Sequence, residues 1–179
     1  SFLFIFAFLK IIIRFLFNIF SFFANNNFIN IFRRFFLMDS NRYILNELNK
    51  GIKMGMDSIS TVSEKVQDDR FKQDLKYQYD EYNKILNEVN DELTNYDDFP
   101  KELNPMQKAM GWMGVELNTI SDKSNSKIAE MMIQGTNMGI IEGVKLLNQN
   151  PEADDEVKNV LNEFIKFQEN TVEQLKKYL

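Results

Sequence analysis

Cysteine and histidine are both absent from the 179 residues of this chain. Without cysteine, the chain can form no disulfide, offer no thiolate ligand to a metal and use no cysteine nucleophile. Without histidine, it also lacks the side chain that most often transfers protons near neutral pH and most often binds metals. The remaining residues show neither a strand pattern nor a glycine-rich phosphate loop. The sequence therefore predicts a protein that is not an enzyme and has no cofactor.

Acidic residues outnumber basic ones. The chain has 21 basic and 26 acidic residues, and its formal net charge is -5. Four of the basic residues, and none of the acidic ones, precede Asp39, so the remainder carries 17 basic and 26 acidic residues. A surface this acidic lacks the basic face that nucleic-acid phosphates require. We therefore expect no nucleic-acid partner.

The first 37 residues differ in composition from the rest. Of the 17 phenylalanines, 13 precede Met38. One interpretation is a membrane anchor, because residues 2–23 reach the length of about 20 residues that spans a bilayer. Another is translated AT-rich DNA ahead of a start at Met38, because the chain begins with serine. We therefore divide the chain into a hydrophobic leader, 1–37, that is a start-site artefact or a membrane segment, and a helical body, 38–179.

Glycine is rare, and its distribution is unusual. All seven glycines fall inside predicted helices, where each costs about 1 kcal/mol relative to alanine. Those on one helix share a face because they lie three or four residues apart, and methionines lie among them. The faces of interest contain Gly51, Gly55, Met56, Gly135, Met138 and Gly139. We expect these faces either to let helices pack closely or to form a groove for an apolar ligand or partner helix.

Four long helices are predicted in the body from apolar residues that alternate at three- and four-residue spacing. Their approximate ranges are 40–66, 68–96, 127–148 and 154–179. Asp39 or Ser40 is the expected N-cap of the first. In the second, we expect Gln78 and Tyr82 to form a hydrogen-bonded pair. They belong to its predicted stripe, which is Phe71, Leu75, Gln78, Tyr82, Ile85 and Val89. The third is apolar around most of its circumference, which indicates a helix that is covered on several sides.

The order of the connections predicts two helical hairpins joined by a crossover. Only a short turn at Asp68-Asp69, which also supplies the N-cap of the second helix, separates the first two helices, so these must run antiparallel. The last two are related in the same way, and Asp154-Asp155 repeats the acidic start of the second helix. A short helix after Pro105 lies between the hairpins. Its methionines allow a thioether site for Cu(I) as a further interpretation, at Met106, Met110 and Met113.

These elements resemble a bacterial ferritin-like family of unknown function that is distantly similar to rubrerythrins. The resemblance covers about residues 41–179, and its order and spacing are more telling than any single motif. It depends on Leu45-Asn46-Glu47-Leu48 with the central Gly55, on Gly111-Trp112-Met113 and on Gly135. It implies an all-α fold, a ferritin-like four-helix bundle of two helical hairpins with a short crossover helix.

The metal ligands of such bundles are missing from this sequence. Metal-binding members of the wider superfamily use a Glu on each of two helices and a Glu-x-x-His on each of the others. With no histidine in the chain, neither Glu-x-x-His motif can form. Only Glu81 and Glu142 lie near the buried faces, and both are weak candidates for a single hard cation. We expect them instead at the edge of the bundle, paired with lysines.

The sequence thus predicts a metal-free helical bundle that acts as a structural or protein-interaction module. One alternative is a degenerate di-iron or metal-binding oxidase-like protein, and another is a membrane-anchored bundle. We expect a homo-oligomer or a protein partner, and contact with a membrane only if residues 1–37 belong to the cellular protein. The expected location is the cytoplasm, or a membrane if residues 2–23 are an anchor.

Overall fold

The structure, a computed structural model, describes residues 13–15, 26–100 and 122–179, with only the backbone over 26–36. Four helices account for most of them. They are α1 (Asn26–Ser63), α2 (Asp69–Asn95), α3 (Asn125–Gln149) and α4 (Asp155–Leu175), and a short 3-10 turn (Lys176–Tyr178) follows α4. No strand occurs in these ranges, so the all-α prediction is confirmed.

The chain divides into two compact units, Ser1–Asp39 and Ser40–Leu179. The sequence places the boundary after residue 37. The predicted membrane segment, 2–23, lies outside the described residues except for positions 13–15, and so does the whole predicted short helix with its methionines. Among the helices that the structure does describe, none has both the length and the apolar character needed to cross a membrane.

The start of α1 differs from the prediction. This helix begins at Asn26, so Asp39 and Ser40 lie inside it and neither is its N-cap. The sequence from residue 26 to Lys50 contains no proline or glycine, and nothing therefore interrupts the helix ahead of Asp39. The predicted cap is wrong for this reason. The helix also ends at Ser63, slightly earlier than predicted.

The ends of α2 follow from local chemistry. Its N-cap is Asp68, whose side chain accepts a hydrogen bond of 2.7 Å from the backbone N–H of Phe71. At the other end, the N–H groups of Asp97 and Asp98 donate to the carbonyls of Thr94 and Leu93. This pair of bonds is a Schellman motif, which requires a left-handed residue just beyond the helix. Asp97 occupies that position with a φ of 53°.

The predicted stripes of α1, α2 and α4 form the core. Leu45 and Ile52 of α1, Leu75 of α2 and Leu161 of α4 are completely buried. The α2 stripe is buried in full, including the polar Gln78, and Leu93 extends it. Burying an apolar side chain of this size stabilises the fold by about 1.5–3 kcal/mol, so helical spacing alone identifies most of the core.

Helix α3 is covered less than predicted. Ile128 and Met131 in its first half are buried, but Met138 and Ile141 in its second half are 54% and 52% exposed. The prediction that several neighbours cover this helix is therefore wrong for its second half. In this half, Gly139 lies against Gln168 and Gly143 against Ile165 of α4, so α4 covers the glycine side while Met138 and Ile141 stay exposed.

Contacts between helices fix their directions. Asn49 of α1 donates to Asn90 of α2 at 2.7 Å, and Asn46 donates to Asp98 at 2.8 Å. Later residues of α2 thus meet earlier residues of α1, and these helices form the predicted antiparallel hairpin. The hairpin of α3 and α4 is confirmed in the same way, because Gly143 lies against Ile165 and Gly139 lies against Gln168.

One end of the bundle is held by Asp154, the residue before α4. Its carboxylate accepts hydrogen bonds from the Asn41 amide at 2.7 Å and from the Tyr96 hydroxyl at 2.8 Å. Its backbone N–H donates to Asn41 at 3.0 Å. Burial and the Asp154 carboxylate together raise the pKa of Tyr96, so this phenol stays a neutral donor. Asp154 therefore joins α1, the end of α2 and the start of α4.

Candidate functional site

A cavity of about 440 Å³ lies between the four helices, all of which contribute to its lining. We call it the interhelix cavity. Tyr43 and Met54 of α1 and Met138 of α3 line it and are exposed, so it opens to solvent between α1 and α3. Its inner wall is polar, and the side chains there are Gln78, Tyr82, Gln168 and Thr171.

Glycines give the cavity its width, and they differ in what surrounds them. A Cβ atom on Gly55 would lie 2.6 Å from the Tyr82 ring, whereas a Cβ on Gly51 would meet nothing within 4 Å. On α3, a Cβ on Gly139 would lie at an ordinary 3.7 Å from the Gln168 amide, and one on Gly143 would lie 2.8 Å from Ile165. Gly55 and Gly143 are thus required for packing, while Gly51 and Gly139 leave open space.

The Tyr82 phenol forms the centre of the inner wall. Its ring stands edge-on to Phe167, with ring centroids 4.9 Å apart. Its hydroxyl oxygen accepts a buried hydrogen bond of 2.7 Å from the Gln168 amide. Burial raises the pKa of Tyr82 to about 12, although the bond from Gln168 acts in the opposite direction. The phenol is therefore neutral and keeps its own hydrogen for donation.

The predicted pair of Gln78 and Tyr82 does not form. The Tyr82 ring passes across Gly55 and its hydroxyl reaches Gln168 on α4, which carries it away from Gln78 on its own helix. Both amide atoms of Gln78 remain without a hydrogen-bond partner among the described residues. This prediction is wrong because Gly55 has no side chain and so leaves room for the Tyr82 ring to reach α4. Spacing along a single helix cannot predict that contact.

Further polar atoms of the inner wall are also unpaired. Oε1 of Gln168 and the hydroxyl of Thr171 have no partner in the part of the chain that the structure describes. Gln78 is completely buried, and Gln168 and Thr171 are each 2% exposed. A buried polar group without a partner costs about 1–3 kcal/mol, and folded proteins contain few of them. Among the described residues, the inner wall therefore holds most of the buried polar side-chain atoms that lack a hydrogen-bond partner.

The inner wall does not fit a pair of iron ions. A di-iron site needs several carboxylates and two histidines from facing helices, whereas the inner wall carries two amides and two hydroxyls. Within residues 37–100 and 122–179, no group of three or more acidic residues is placed to hold a metal. Neutral oxygens alone cannot balance the charge of two iron ions. The donor set therefore disagrees with a dimetal centre.

The two weak metal candidates lie apart. Glu142 lines the interhelix cavity but is paired with Lys145 at 2.6 Å, and its side chain is 67% exposed. Glu81 is paired with Lys84 and lines a separate groove between α2 and α4. Each carboxylate thus has a lysine on its own helix, as expected for edge positions. The structure brings neither of them to the inner wall.

Most of the predicted glycine and methionine faces belong to the cavity. Gly51, Gly55, Gly135, Met138 and Gly139 all line it, whereas Met56 packs against the hydrophobic core. Sequence reasoning missed the bond between Gln168 and Tyr82. The available signal was that Gln168 shares a helix face with Phe164 and Thr171, so an amide stands within an otherwise buried stripe.

Comparison with known proteins supports the fold. No protein-family model matches the chain, and no curated protein matches its sequence. Together with the helix order, a structural match shows that the chain has a ferritin-like helical-bundle fold, as the resemblance in its sequence implies. One matching solved structure is the bacterioferritin-related protein from Bacteroides fragilis, described as a dodecameric thioferritin. The TM-score is 0.63 over 79% of this chain and 84% of that one, at 11% identity.

Proposed function

We propose that this protein is a metal-free ferritin-like bundle that acts as an interaction module rather than as an oxidase or an iron store. The observation that carries the proposal is the chemistry of the inner wall. Gln78, Gln168 and Thr171 stand there where a dimetal centre would need carboxylates and imidazoles. A cytoplasmic location stays a prediction from the acidic composition.

The alternative is a degenerate metal-binding protein. The structural neighbour is described as a thioferritin, which favours testing for iron in this chain too. Metal binding would have to use Glu81 or Glu142, which are each paired with a lysine and line different concavities. A single carboxylate holds a hard cation weakly, so this alternative predicts at most weak binding.

Metal analysis distinguishes these two functions. We expect the chain, purified from iron-supplemented cells, to contain far less than one metal ion per molecule by plasma mass spectrometry. We also expect its melting temperature to be unchanged by a chelator, because only a bound metal stabilises by mass action. A stoichiometric metal in the unmodified chain, lost in Glu81→Gln or Glu142→Gln, would contradict the proposal.

The interaction surface that we propose is an apolar strip on α3. Met138, Ile141 and Val144 are 54%, 52% and 40% exposed, and their three-residue spacing places them on adjoining parts of one face. Exposed apolar side chains grouped in this way mark contact surfaces. We assign a second copy of the chain as the partner, since the structural neighbour is described as dodecameric.

Disruption of this strip should dissociate the assembly. We expect Ile141→Lys to reduce the mass measured by light scattering to that of one chain, 21.2 kDa, because a charge buried at an apolar contact is costly. Asn162→Lys is the matched control, since it adds the same charge at an exposed position on α4. A monomeric unmodified chain, or an assembly that persists in Ile141→Lys, would refute self-association through α3.

A further inference from the structure

The interhelix cavity has properties that self-association through α3 does not explain. Its volume of about 440 Å³ falls within the range of about 300–1,000 Å³ that is typical of small-molecule sites. Leu48, Met132 and Leu161 contribute apolar surface to its lining, while Gln78 contributes a carboxamide. An apolar volume with a few polar groups at one wall is the usual form of a site for an amphipathic molecule.

Gln78 determines which head group the cavity can pair with. Its carboxamide has an N–H donor and a carbonyl acceptor side by side, and neither has a partner among the described residues. A second carboxamide presents the same two groups in the complementary order, so the two can form parallel hydrogen bonds. Because Gln78 lines the cavity and has no hydrogen bond among the described residues, pairing with a head group would replace no existing bond. Oε1 of Gln168 is one further acceptor.

The charges around the cavity disfavour an ionised head group. Glu47 lines it and is paired with Lys50 at 2.5 Å, and Glu142 lines it and is paired with Lys145. The inner wall itself consists of neutral side chains in the described part of the molecule. A carboxylate or ammonium bound there would lose its hydration without gaining an opposite charge, which is unfavourable.

We propose that the interhelix cavity binds a small neutral molecule that has an apolar body and a primary carboxamide head, with Gln78 as the main hydrogen-bond partner of that head. The body packs against the apolar lining between α1 and α3. Gly51 and Gly139 leave the space that it occupies, since a Cβ on Gly51 would meet nothing within 4 Å and one on Gly139 only an ordinary contact.

The proposal is tested by calorimetric titration with octanamide, with octanoate as the charged comparison of the same length. We expect saturable one-to-one binding of octanamide. Octanoate should bind at least about tenfold more weakly, because it loses the matched hydrogen bonds and buries a charge. We expect Gln78→Leu to weaken octanamide binding by about tenfold while raising the melting temperature, because leucine removes two unpaired buried atoms. The raised melting temperature also excludes misfolding as the cause of the loss.

The matched control is Gln73→Leu, the same substitution at an exposed position of α2, which should leave octanamide binding unchanged. The proposal is overturned if octanamide does not bind, if octanoate binds equally well, or if Gln78→Leu and Gln73→Leu bind it alike. Metal content and assembly are measured separately, so failure here leaves the proposed function standing.

Discussion

Gly55→Ala is expected to destabilise the protein by about 1–2 kcal/mol, whereas Gly51→Ala, one helical turn earlier, is expected to stabilise it by about 1 kcal/mol. Both substitutions gain the same helix propensity. They differ because a Cβ on Gly55 would lie 2.6 Å from the Tyr82 ring, while one on Gly51 would meet nothing within 4 Å. The ring cannot move away freely, since Gln168 and Phe167 hold it.

Urea unfolding followed by circular dichroism measures both free energies of unfolding. The effect of Gly55→Ala should also be measured in a variant that lacks the Tyr82 ring. In Tyr82→Leu the obstructing ring is gone, so adding Gly55→Ala should no longer destabilise the protein, and the two substitutions should be strongly non-additive. If Gly55→Ala instead stabilises the unmodified protein as much as Gly51→Ala does, the close contact between α1 and α2 is not present in solution.

Asp154→Ala is expected to lower the free energy of unfolding by about 2–4 kcal/mol, because hydrogen bonds to a charged group contribute about 1.5–3 kcal/mol each. The carboxylate accepts from Asn41 and Tyr96, which lie on α1 and at the end of α2. Its loss would leave both donors without this acceptor in a partly buried place. Thermal and urea unfolding of the same samples would measure the effect.

The neighbouring Asp155 provides the control for this prediction. Its side chain is 91% exposed, and its nearest cation is Lys158 at 3.9 Å. Exposed ion pairs of this kind contribute about 0–1 kcal/mol, so Asp155→Ala should change stability little, although it removes the same charge from the same helix start. Equal effects of Asp154→Ala and Asp155→Ala would show that the helix dipole, and not the three-way junction, is what matters at this end.

Much of the fold is readable from short-range signals. The apolar spacing of α2 identifies every residue of its buried stripe except Leu93, and the Asp68 side chain caps this helix as predicted. Such signals work because periodicity and capping involve residues within one or two turns of each other. The predicted start of α1 is wrong because the change in composition near Asp39 does not end the helix, and no proline or glycine lies between residue 26 and Asp39.

The sequence predicts only part of the candidate site. It identifies the glycine faces, and it places the amide of Gln78 within an apolar stripe. The partner of Tyr82 was not predictable, because its ring leaves its own helix through the space above Gly55 and meets Gln168. That choice depends on how α1, α2 and α4 are rotated about their axes, and such rotation is set by packing across the whole core.

By itself, the sequence determined the helical class, the positions of most helices, the composition of the core and the lack of a histidine-containing metal site. Each of these depends on residue type or on spacing along one chain segment. Only the tertiary structure decided that Asp154 joins three elements, that Met138 and Ile141 stay exposed, and that four polar atoms of the inner wall lack partners among the described residues. These properties depend on distances between helices that are far apart in sequence, and no local pattern encodes them.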